Sequence, residues 1–161
     1  MSEPERDGLR AVVDSVELIN VYALKLGGSR TSGREPTQFE FIVHPQWQRN
    51  DEQLDYRFDV RCEPKDDEGD SVATIEYSVV CSYEVLDPAA LEPVDRGDLT
   101  TFGANVALYV AYPYLREGVQ SVADRLGMTN ISMGMLRRGH DLPAGMSFGD
   151  LSEASNPTAG E

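Results

Sequence analysis

At residues 54–62 the chain carries the stretch Leu-Asp-Tyr-Arg-Phe-Asp-Val-Arg-Cys, in which apolar and charged side chains alternate without a break. Because successive side chains of a β-strand point to opposite faces, one face of this stretch is apolar and the other is charged. A strand with one solvated face is typical of an antiparallel sheet. The stretch therefore predicts a strand whose apolar side faces a core.

Period-two alternation continues on both sides of this strand. The connecting stretches 27–33 and 64–70 have the composition of loops and turns, and Pro45 is expected to end the second strand. The pattern predicts four strands in an antiparallel meander, the first of them with one strongly apolar face. The three further alternating segments are residues 16–26, 39–43 and 73–85.

After the fourth strand the spacing of apolar residues changes to three and four, which is the period of a helix with one buried face. The helix is predicted over residues 99–126, with Gly127 as its C-terminal stop and Asp98 as its N-cap, a role that Thr100 or Thr101 could take instead. Pro113 is expected to bend or break it, because proline removes a backbone hydrogen bond and crowds the preceding turn. Strands followed by one long helix predict an α+β fold.

Net charge limits the classes of partner. The 161 residues include 28 acidic and 14 basic side chains, which gives a formal net charge of −14. Such a chain is not expected to bind nucleic acid or an anionic membrane surface, since both interactions need a basic protein surface. No stretch approaches a run of about 18 apolar residues, and no apolar leader follows Met1. We therefore expect a cytoplasmic protein without membrane insertion.

The length fits a single domain. Its expected parts are a flexible acidic segment at residues 1–12, a folded domain at residues 13–148 and a disordered tail at residues 149–161. Both ends hold too little apolar surface to offset the entropy lost on ordering. Cys62 and Cys81 lack metal-ligand spacing, so they are expected to be buried thiols in a reducing compartment.

The sequence has no recognisable catalytic constellation. His44 and His140 lie far apart, and no motif for a nucleophile, a zinc ion or a phosphate surrounds them. The abundant carboxylates are scattered over predicted turns and solvated faces, where close pairs arise by chance. We therefore expect a binding protein rather than an enzyme, with no cofactor and no metal site.

Adaptable apolar side chains are common in the second half of the chain. Aromatic residues occur along the predicted helix, and methionines cluster in the last third. Methionine is flexible, and tyrosine contacts both apolar and polar groups. These side chains either pack in the core or form a surface that binds a polypeptide.

Residues 112–127 resemble the main helix of the SecB family of bacterial export chaperones. They are Tyr-Pro-Tyr-Leu-Arg-Glu-Gly-Val-Gln-Ser-Val-Ala-Asp-Arg-Leu-Gly. The shared features are an aromatic-Pro-Tyr-x-Arg-Glu core, a serine between apolar residues and an arginine near the helix end. By the order of its elements, four strands before one long helix, the resemblance extends over residues 13–136.

The resemblance implies a four-stranded antiparallel sheet with the long helix packed on one face. It also implies a homotetramer, built as a dimer of dimers, with a groove that binds unfolded or precursor polypeptides. Such a holdase keeps precursors competent for export. Two other functions stay open: a dedicated SecB-like chaperone of a toxin–antitoxin system, and a small-molecule-binding α+β domain.

Two departures from the family pattern concern partners and the groove. SecB hands clients to the SecA motor through acidic residues on its sheet. The corresponding positions here are Lys25, Ser29 and Glu76, so Glu76 alone could dock the translocase motor. The family's second helix, which walls part of the groove, corresponds to residues 140–148, where a proline and a glycine make a helix unfavourable.

The client-binding surface is expected on the segment that follows the helix, together with neighbouring aromatic side chains. After Gly127 apolar residues alternate with small ones, so one side adapts to varied side chains and the other admits a second backbone. The resemblance places the border of the peptide groove at the same point of the chain. The candidate residues are Tyr83, Tyr109, Met128, Ile131, Met133, Met135, Leu136, Met146 and Phe148.

Overall fold

The computed structural model describes residues 2–154, which form a six-stranded sheet with a long helix packed on one face. The elements are α1 (Glu3–Ser15), β1 (Val16–Arg30), β2 (Phe41–Arg49), β3 (Gln53–Cys62), β4 (Ala73–Val85), α2 (Pro88–Leu91), α3 (Arg96–Phe102), a π-helical turn (Gly103–Ala107), α4 (Leu108–Arg125), β5 (Met146–Phe148) and β6 (Ser152–Glu153). The strand order is β1-β4-β3-β2-β5, and β6 also pairs with β2.

The predicted four-stranded antiparallel sheet is confirmed. β3 pairs with β2 on one side and with β4 on the other, and β1 lies along β4, all antiparallel. Charged residues of β3 point away from the core, where Arg57 Nε lies 2.9 Å from Asp59 Oδ1. The sheet is larger than predicted, because β5 and β6 add two short strands parallel to β2. The apolar side chains of β3, each at most 2% exposed, are Leu54, Tyr56, Phe58, Val60 and Cys62.

β1 is longer than the alternation predicted. The predicted loop at residues 27–33 is wrong in its first half, because Gly27 to Arg30 remain paired with β4. Gly28 lies directly under α4, where a Cβ atom would be 2.8 Å from Val122 Cγ1. The glycine therefore allows the helix to approach the strand, rather than marking a turn.

The apolar residues of β1 fall on both faces of the sheet. Two bulges interrupt its pairing with β4, one after Leu18 and one after Ala23. As a result, Leu18 lies opposite the core residue Tyr83, whereas Tyr22 lies opposite Val80 on the other face. The single apolar face predicted for this strand is therefore wrong.

Pro45 lies inside β2 and does not end it. Two preceding residues of β2 show which way its missing N–H would point. The Phe41 N–H donates to the Gly145 carbonyl at 2.7 Å, and the Val43 carbonyl accepts from the Gly149 N–H at 2.8 Å. By alternation, the nitrogen of Pro45 faces this same outer side of β2. The proline therefore removes no hydrogen bond between β2 and β3.

The long helix starts earlier than predicted. Asp95 is the N-cap, and its side chain accepts from the Asp98 N–H at 2.9 Å while the Asp98 side chain accepts from the Asp95 N–H. This reciprocal capping box places Asp98 inside the first turn, so its assignment as the N-cap is wrong.

Pro113 was predicted to bend or break the helix, and it does not break it, because α4 is continuous from Leu108 to Arg125. The run from α3 to α4 contains one wide turn, Gly103–Ala107, in which the Leu108 N–H donates to the Gly103 carbonyl five residues back. Pro113 itself is exposed, whereas Ala111 and Leu115 on either side of it are fully buried. Burial of the sheet-facing side thus outweighs the loss of one hydrogen bond.

The end of the helix is the one predicted. Gly127 adopts φ +75°, its N–H donates to the Asp124 carbonyl, and the Met128 N–H donates to the Ala123 carbonyl. This pair of bonds is a Schellman motif, which favours glycine because of the positive φ.

Structure extends into both of the terminal segments. Residues 3–15 form α1, in which Val12 is fully buried in the main core, although residues 1–12 were predicted to be flexible. At the other end, Leu151 packs against the core and the Ala154 N–H donates to the Trp47 carbonyl. The tail that was predicted to be disordered from residue 149 therefore contains the short strand β6, which pairs with β2. Its remaining part, residues 155–161, lies outside the described residues.

Tyr56→Phe is expected to lower the free energy of unfolding by about 1 kcal/mol, because it removes a buried hydrogen bond. The Tyr56 hydroxyl donates to the Leu99 carbonyl at 2.6 Å. Tyr22→Phe is the matched control, since the Tyr22 side chain is 40% exposed and should change stability little. Urea denaturation measures both, and equal midpoints for the two variants would contradict the role given to the Tyr56 hydroxyl.

Candidate functional site

The segment that follows α4 is held to that helix by two side chains. Arg116 Nε donates to the Met133 carbonyl at 2.9 Å, and Tyr112 Oη donates to the Gly134 carbonyl at 2.5 Å. Both donors belong to the stretch by which the helix resembles SecB. The conspicuous polar residues of that stretch therefore fix the path of the chain after the helix.

Four of the nine candidate client-binding residues are buried in the core. Met128, Ile131 and Met133 are 0% exposed. Tyr83 is 4% exposed and packs edge-on against Phe102, with ring centroids 5.1 Å apart. The alternation of apolar and small residues in this part of the segment therefore reflects packing beneath the surface. In this conformation a client cannot reach these four side chains.

The other five candidates lie at or near the surface. Met135 is 65% exposed, and Leu136 is half-buried. Tyr109 is half-buried, and the guanidinium of Arg138 lies 4.8 Å from its ring centroid. The remaining two, Met146 and Phe148, are half-buried in β5. Five of the nine candidates therefore remain accessible to some degree, three of them at positions 109, 135 and 136 and two in β5.

A larger apolar surface lies on β1, none of whose residues was among the nine candidates for client binding. β1 is an edge of the sheet, so one side of its backbone is unpaired within the described residues. The signal in the sequence is that residues 18–24, Leu-Ile-Asn-Val-Tyr-Ala-Leu, supply apolar side chains at both odd and even positions. The exposed side chains, 40–61% accessible, are Leu18, Ile19, Tyr22, Leu24 and Leu26.

A shallow groove runs between β1 and α4. Leu26 and Tyr77 line its sheet side, and Val122 lines its helix side. Gly118 lets the Tyr77 ring lie directly on the helix, since a Cβ atom at position 118 would be 2.2 Å from Tyr77 Cζ. The groove continues the apolar surface of β1 toward the long helix.

Glu76, the candidate for docking the translocase motor, is engaged in an ion pair. Lys25 Nζ of β1 lies 2.7 Å from Glu76 Oε2 of β4, and this contact lowers the pKa of Glu76. The carboxylate is therefore ionised and already paired with a cation of the same sheet. Ser29, at another of the corresponding positions, lies opposite Thr74, which is two residues from Glu76 along β4.

A cluster of acidic side chains lies in the turn between β3 and β4. The buried Asp66 carboxylate accepts from the Asp70 N–H at 2.9 Å and from the Glu68 N–H at 3.0 Å, and Arg34 Nη1 lies 3.1 Å from Asp66 and 2.7 Å from Glu68. The Asp70 backbone, together with Arg34, lowers the pKa of Asp66. These contacts give the cluster a structural role in closing the turn.

No helix in residues 2–154 has the length and hydropathy that are needed to cross a membrane. Neither a family model nor a curated protein sequence matches the chain. Its structure is similar to that of a SecB-like chaperone from Mycobacterium tuberculosis, solved in complex with a ChAD peptide from the HigA1 antitoxin. The TM-score is 0.71 at 16% sequence identity, and the similarity covers 83% of this chain and 99% of that chaperone.

The chain has a SecB-like fold. This result confirms the fold class that the helix motif implied, a sheet of antiparallel strands with one long helix on its face. At 16% identity the similarity rests on the path of the backbone.

Both cysteines of this SecB-like fold are expected to be unreactive and dispensable. Burial raises the pKa of Cys62 and of Cys81 to about 12, so almost no thiolate is present at neutral pH. A thiol reagent should label neither residue in native buffer and both in denaturant. Replacing each with Ala should cost about 1–2 kcal/mol of stability without affecting client binding. Rapid labelling of the native protein would contradict this assignment.

Proposed function

We propose that the protein is a molecular chaperone, a holdase that binds unfolded or precursor polypeptides non-covalently. The observation that carries the proposal is the SecB-like fold, which aligns with nearly the whole length of a chaperone that has been solved with a bound peptide. A holdase needs apolar surface for its clients and no chemical step. We accordingly propose that the protein acts without a cofactor or metal and is not an enzyme.

The distribution of apolar and charged groups supports this proposal. Apolar side chains that are 40–65% exposed occur on β1 and at Met135 of a chain whose net charge is −14. Large exposed apolar patches mark interaction sites in soluble proteins. A high net charge of one sign limits self-association through such patches. Exposed apolar surface on a strongly acidic protein is thus suited to holding clients in solution.

We further propose that the chain forms a homo-oligomer, built as a dimer of dimers. β1 supports this step, because a 15-residue edge strand with apolar side chains on both faces can pair with a second copy. Linking several client sites in one particle would raise avidity for an unfolded chain that spans them.

The oligomer is expected to dissociate when β1 is made polar. Leu24→Lys with Leu26→Lys introduces charge on side chains that are 49% and 61% exposed, so the monomer should remain folded while pairing is lost. Leu142→Lys, at a residue that is 46% exposed and distant in sequence from β1, is the matched control. Sedimentation velocity measures the mass, and a wild-type protein that sediments as a single 17.8 kDa species would contradict the proposal.

A chaperone dedicated to one client, an antitoxin, is the second candidate within the same class. The observation in its favour is that the similar Mycobacterium tuberculosis chaperone was solved with a peptide from an antitoxin. Hand-over to the SecA motor has less support, since Glu76 is paired with Lys25. We place either form in the cytoplasm, where buried unpaired thiols such as Cys62 are stable.

A small-molecule-binding domain has less support than a chaperone. Such a domain would use the space between the sheet and the helix as its cavity. In this protein that space holds fully buried side chains of both layers, among them Tyr56, Phe58, Phe102 and Leu115. The apolar groups that remain available are on the outside.

The protein is expected to suppress, without nucleotide, the aggregation of a client such as lactalbumin that has been unfolded by reduction of its disulfides. Met135→Ser should weaken binding about fivefold, since it removes apolar area worth about 1 kcal/mol at the surface. Val13→Ser, at a similarly exposed residue of α1, should have no effect on binding. Light scattering at increasing chaperone ratios measures suppression. Wild-type protein that suppresses nothing at any ratio would contradict the proposed function.

A further inference from the structure

The outer edge of β2 is covered by residues 143–154, which we call the edge segment. Its first part, β5, runs parallel to the start of β2, with Met146 opposite Phe41 and Phe148 opposite Val43. Its second part, β6, is parallel to β2 near Trp47. The two parts are separated at Pro45, which offers no N–H to this edge. The β2 edge of the sheet is thus covered by the last residues that the structure describes.

Backbone groups make the hydrogen bonds between the edge segment and β2. The Phe41 N–H donates to the Gly145 carbonyl at 2.7 Å, and the Ala154 N–H donates to the Trp47 carbonyl at 2.7 Å. Such bonds do not depend on side-chain identity. Any extended polypeptide that reaches this edge can therefore make them, as in peptide recognition by strand addition.

Three apolar side chains of the edge segment fill recesses beside β2. Met146 Sδ lies 3.5 Å from the Tyr112 hydroxyl, and Met146, Phe148 and Leu151 are all half-buried against the core. The recess of Leu151 lies over the wide turn of the long helix, where a Cβ atom on Gly103 would be 2.3 Å from Leu151 Cδ2. Apolar residues at positions i, i+2 and i+5 of an extended chain thus match this surface.

The edge segment is held less extensively than the central strands. Its strands have three and two residues, and it is connected to α4 through a stretch without helix or strand. Its ion pair, Arg96 Nη2 to Glu153 Oε2 at 2.9 Å, involves an Arg96 side chain that is 82% exposed, so solvent weakens it. Short, half-buried strands at an edge belong to the least stable parts of a fold.

We propose that the outer edge of β2 is a binding site for an extended apolar segment of a client, which replaces the edge segment as a strand parallel to β2. The proposal rests on the chaperone function proposed above and adds where and in what conformation the client is held. The client places apolar side chains in the recesses of Met146, Phe148 and Leu151. The other edge of the sheet, β1, stays available for pairing between copies.

The edge segment then acts as a competitor within the same chain. While the segment is docked, it occupies the outer N–H and C=O groups of β2 and so protects them from uncontrolled strand pairing. A client binds only to the fraction of molecules in which the edge is open, so its apparent affinity is reduced by that fraction. Segments rich in apolar residues overcome this reduction more readily than polar ones.

Two variants of the full chain test the exchange. The release variant, Phe148→Ser with Leu151→Ser, removes two apolar contacts of the edge segment. The lock variant, Ile42→Cys with Ser147→Cys, joins two exposed residues that are directly opposite in the β2–β5 pairing. Adjacent strands lie about 4.8 Å apart, within the range that a disulfide spans. The native cysteines are buried and should not compete for oxidation.

The probe is a fluorescein-labelled peptide that copies residues 143–154, and the control peptide has Ser in place of its Met, Phe and Leu. Fluorescence anisotropy measures binding, and circular dichroism checks that each variant is folded. The release variant should bind the probe about tenfold more tightly than the wild type. The oxidised lock variant should lose binding, and a reductant should restore it. Ser147→Cys alone, treated with the same oxidant, controls for oxidation.

Each outcome has one meaning. Wild-type binding by the fully oxidised lock variant would overturn the strand exchange and leave the chaperone function intact. Equal binding of the probe and the control peptide would overturn it too. If the release variant instead forms larger assemblies that exclude the probe, the edge accepts a second copy of this chain and not a client. If neither the wild type nor the release variant binds the probe or suppresses aggregation, the proposed function fails as well.

Discussion

The contact between the inner face of the sheet and the start of the long helix determines the rest of the fold. Phe102 lies between two tyrosines of the central strands, with ring centroids 5.5 Å from Tyr56 and 5.1 Å from Tyr83. The Tyr56 hydroxyl also reaches the helix backbone at Leu99. Aromatic pairs are directional, and a shift of the helix would break the Tyr56 hydrogen bond, so both contacts favour this register of the helix on the sheet. Every later segment starts from the point where this helix ends.

The two edges of the sheet differ as a consequence. The helix ends at Arg125 near the end of β1, where Arg30 Nη1 donates to the Leu126 carbonyl at 2.8 Å. From there the chain returns along the helix, fixed by Tyr112 and Arg116, and arrives at β2. β2 is therefore covered by the chain's own residues, while β1 keeps its apolar side chains exposed. A strongly acidic chain tolerates this exposure because like charges oppose random association.

Local rules were sufficient to predict the central strand β3 and the end of the long helix from the sequence. The alternation around Tyr56 and the glycine at position 127 each reflect a constraint within a few residues, and both predictions agree with the structure. The faces of β1 could not be predicted, since its bulges arise from pairing with β4. Gly28 was predicted to lie in a loop, because the residue that requires a glycine there, Val122 of the helix, is distant in sequence. β5 and β6 are too short to show a period.

The candidate site was predicted less well than the fold, for a physical reason. Apolar residues that alternate with small ones have the same sequence pattern whether they line a groove or pack beneath it. Met133 and Met135 are two residues apart on such a pattern, yet one is 0% and the other 65% exposed. What separates them is the bond from Arg116 to the Met133 carbonyl, which holds one against the helix. Contacts in this region also join residues that are distant in sequence, which local patterns cannot predict. The Asn130 side chain, for example, donates to the carbonyl of Pro36, 94 positions earlier.

The wide turn at Gly103–Ala107 affects how this chain is aligned with others. Buried residues on the sheet-facing side of the helix fall at positions 102, 107, 111 and 115, so one interval of five occurs among intervals of four. In a regular helix an extra residue would rotate everything beyond it by about 100°. The wide turn absorbs that residue and keeps both halves facing the sheet. An alignment with a relative whose helix is regular therefore needs a one-residue gap within this turn. Without the gap, the residues before or after the turn would be matched to positions on the wrong face of the relative's helix.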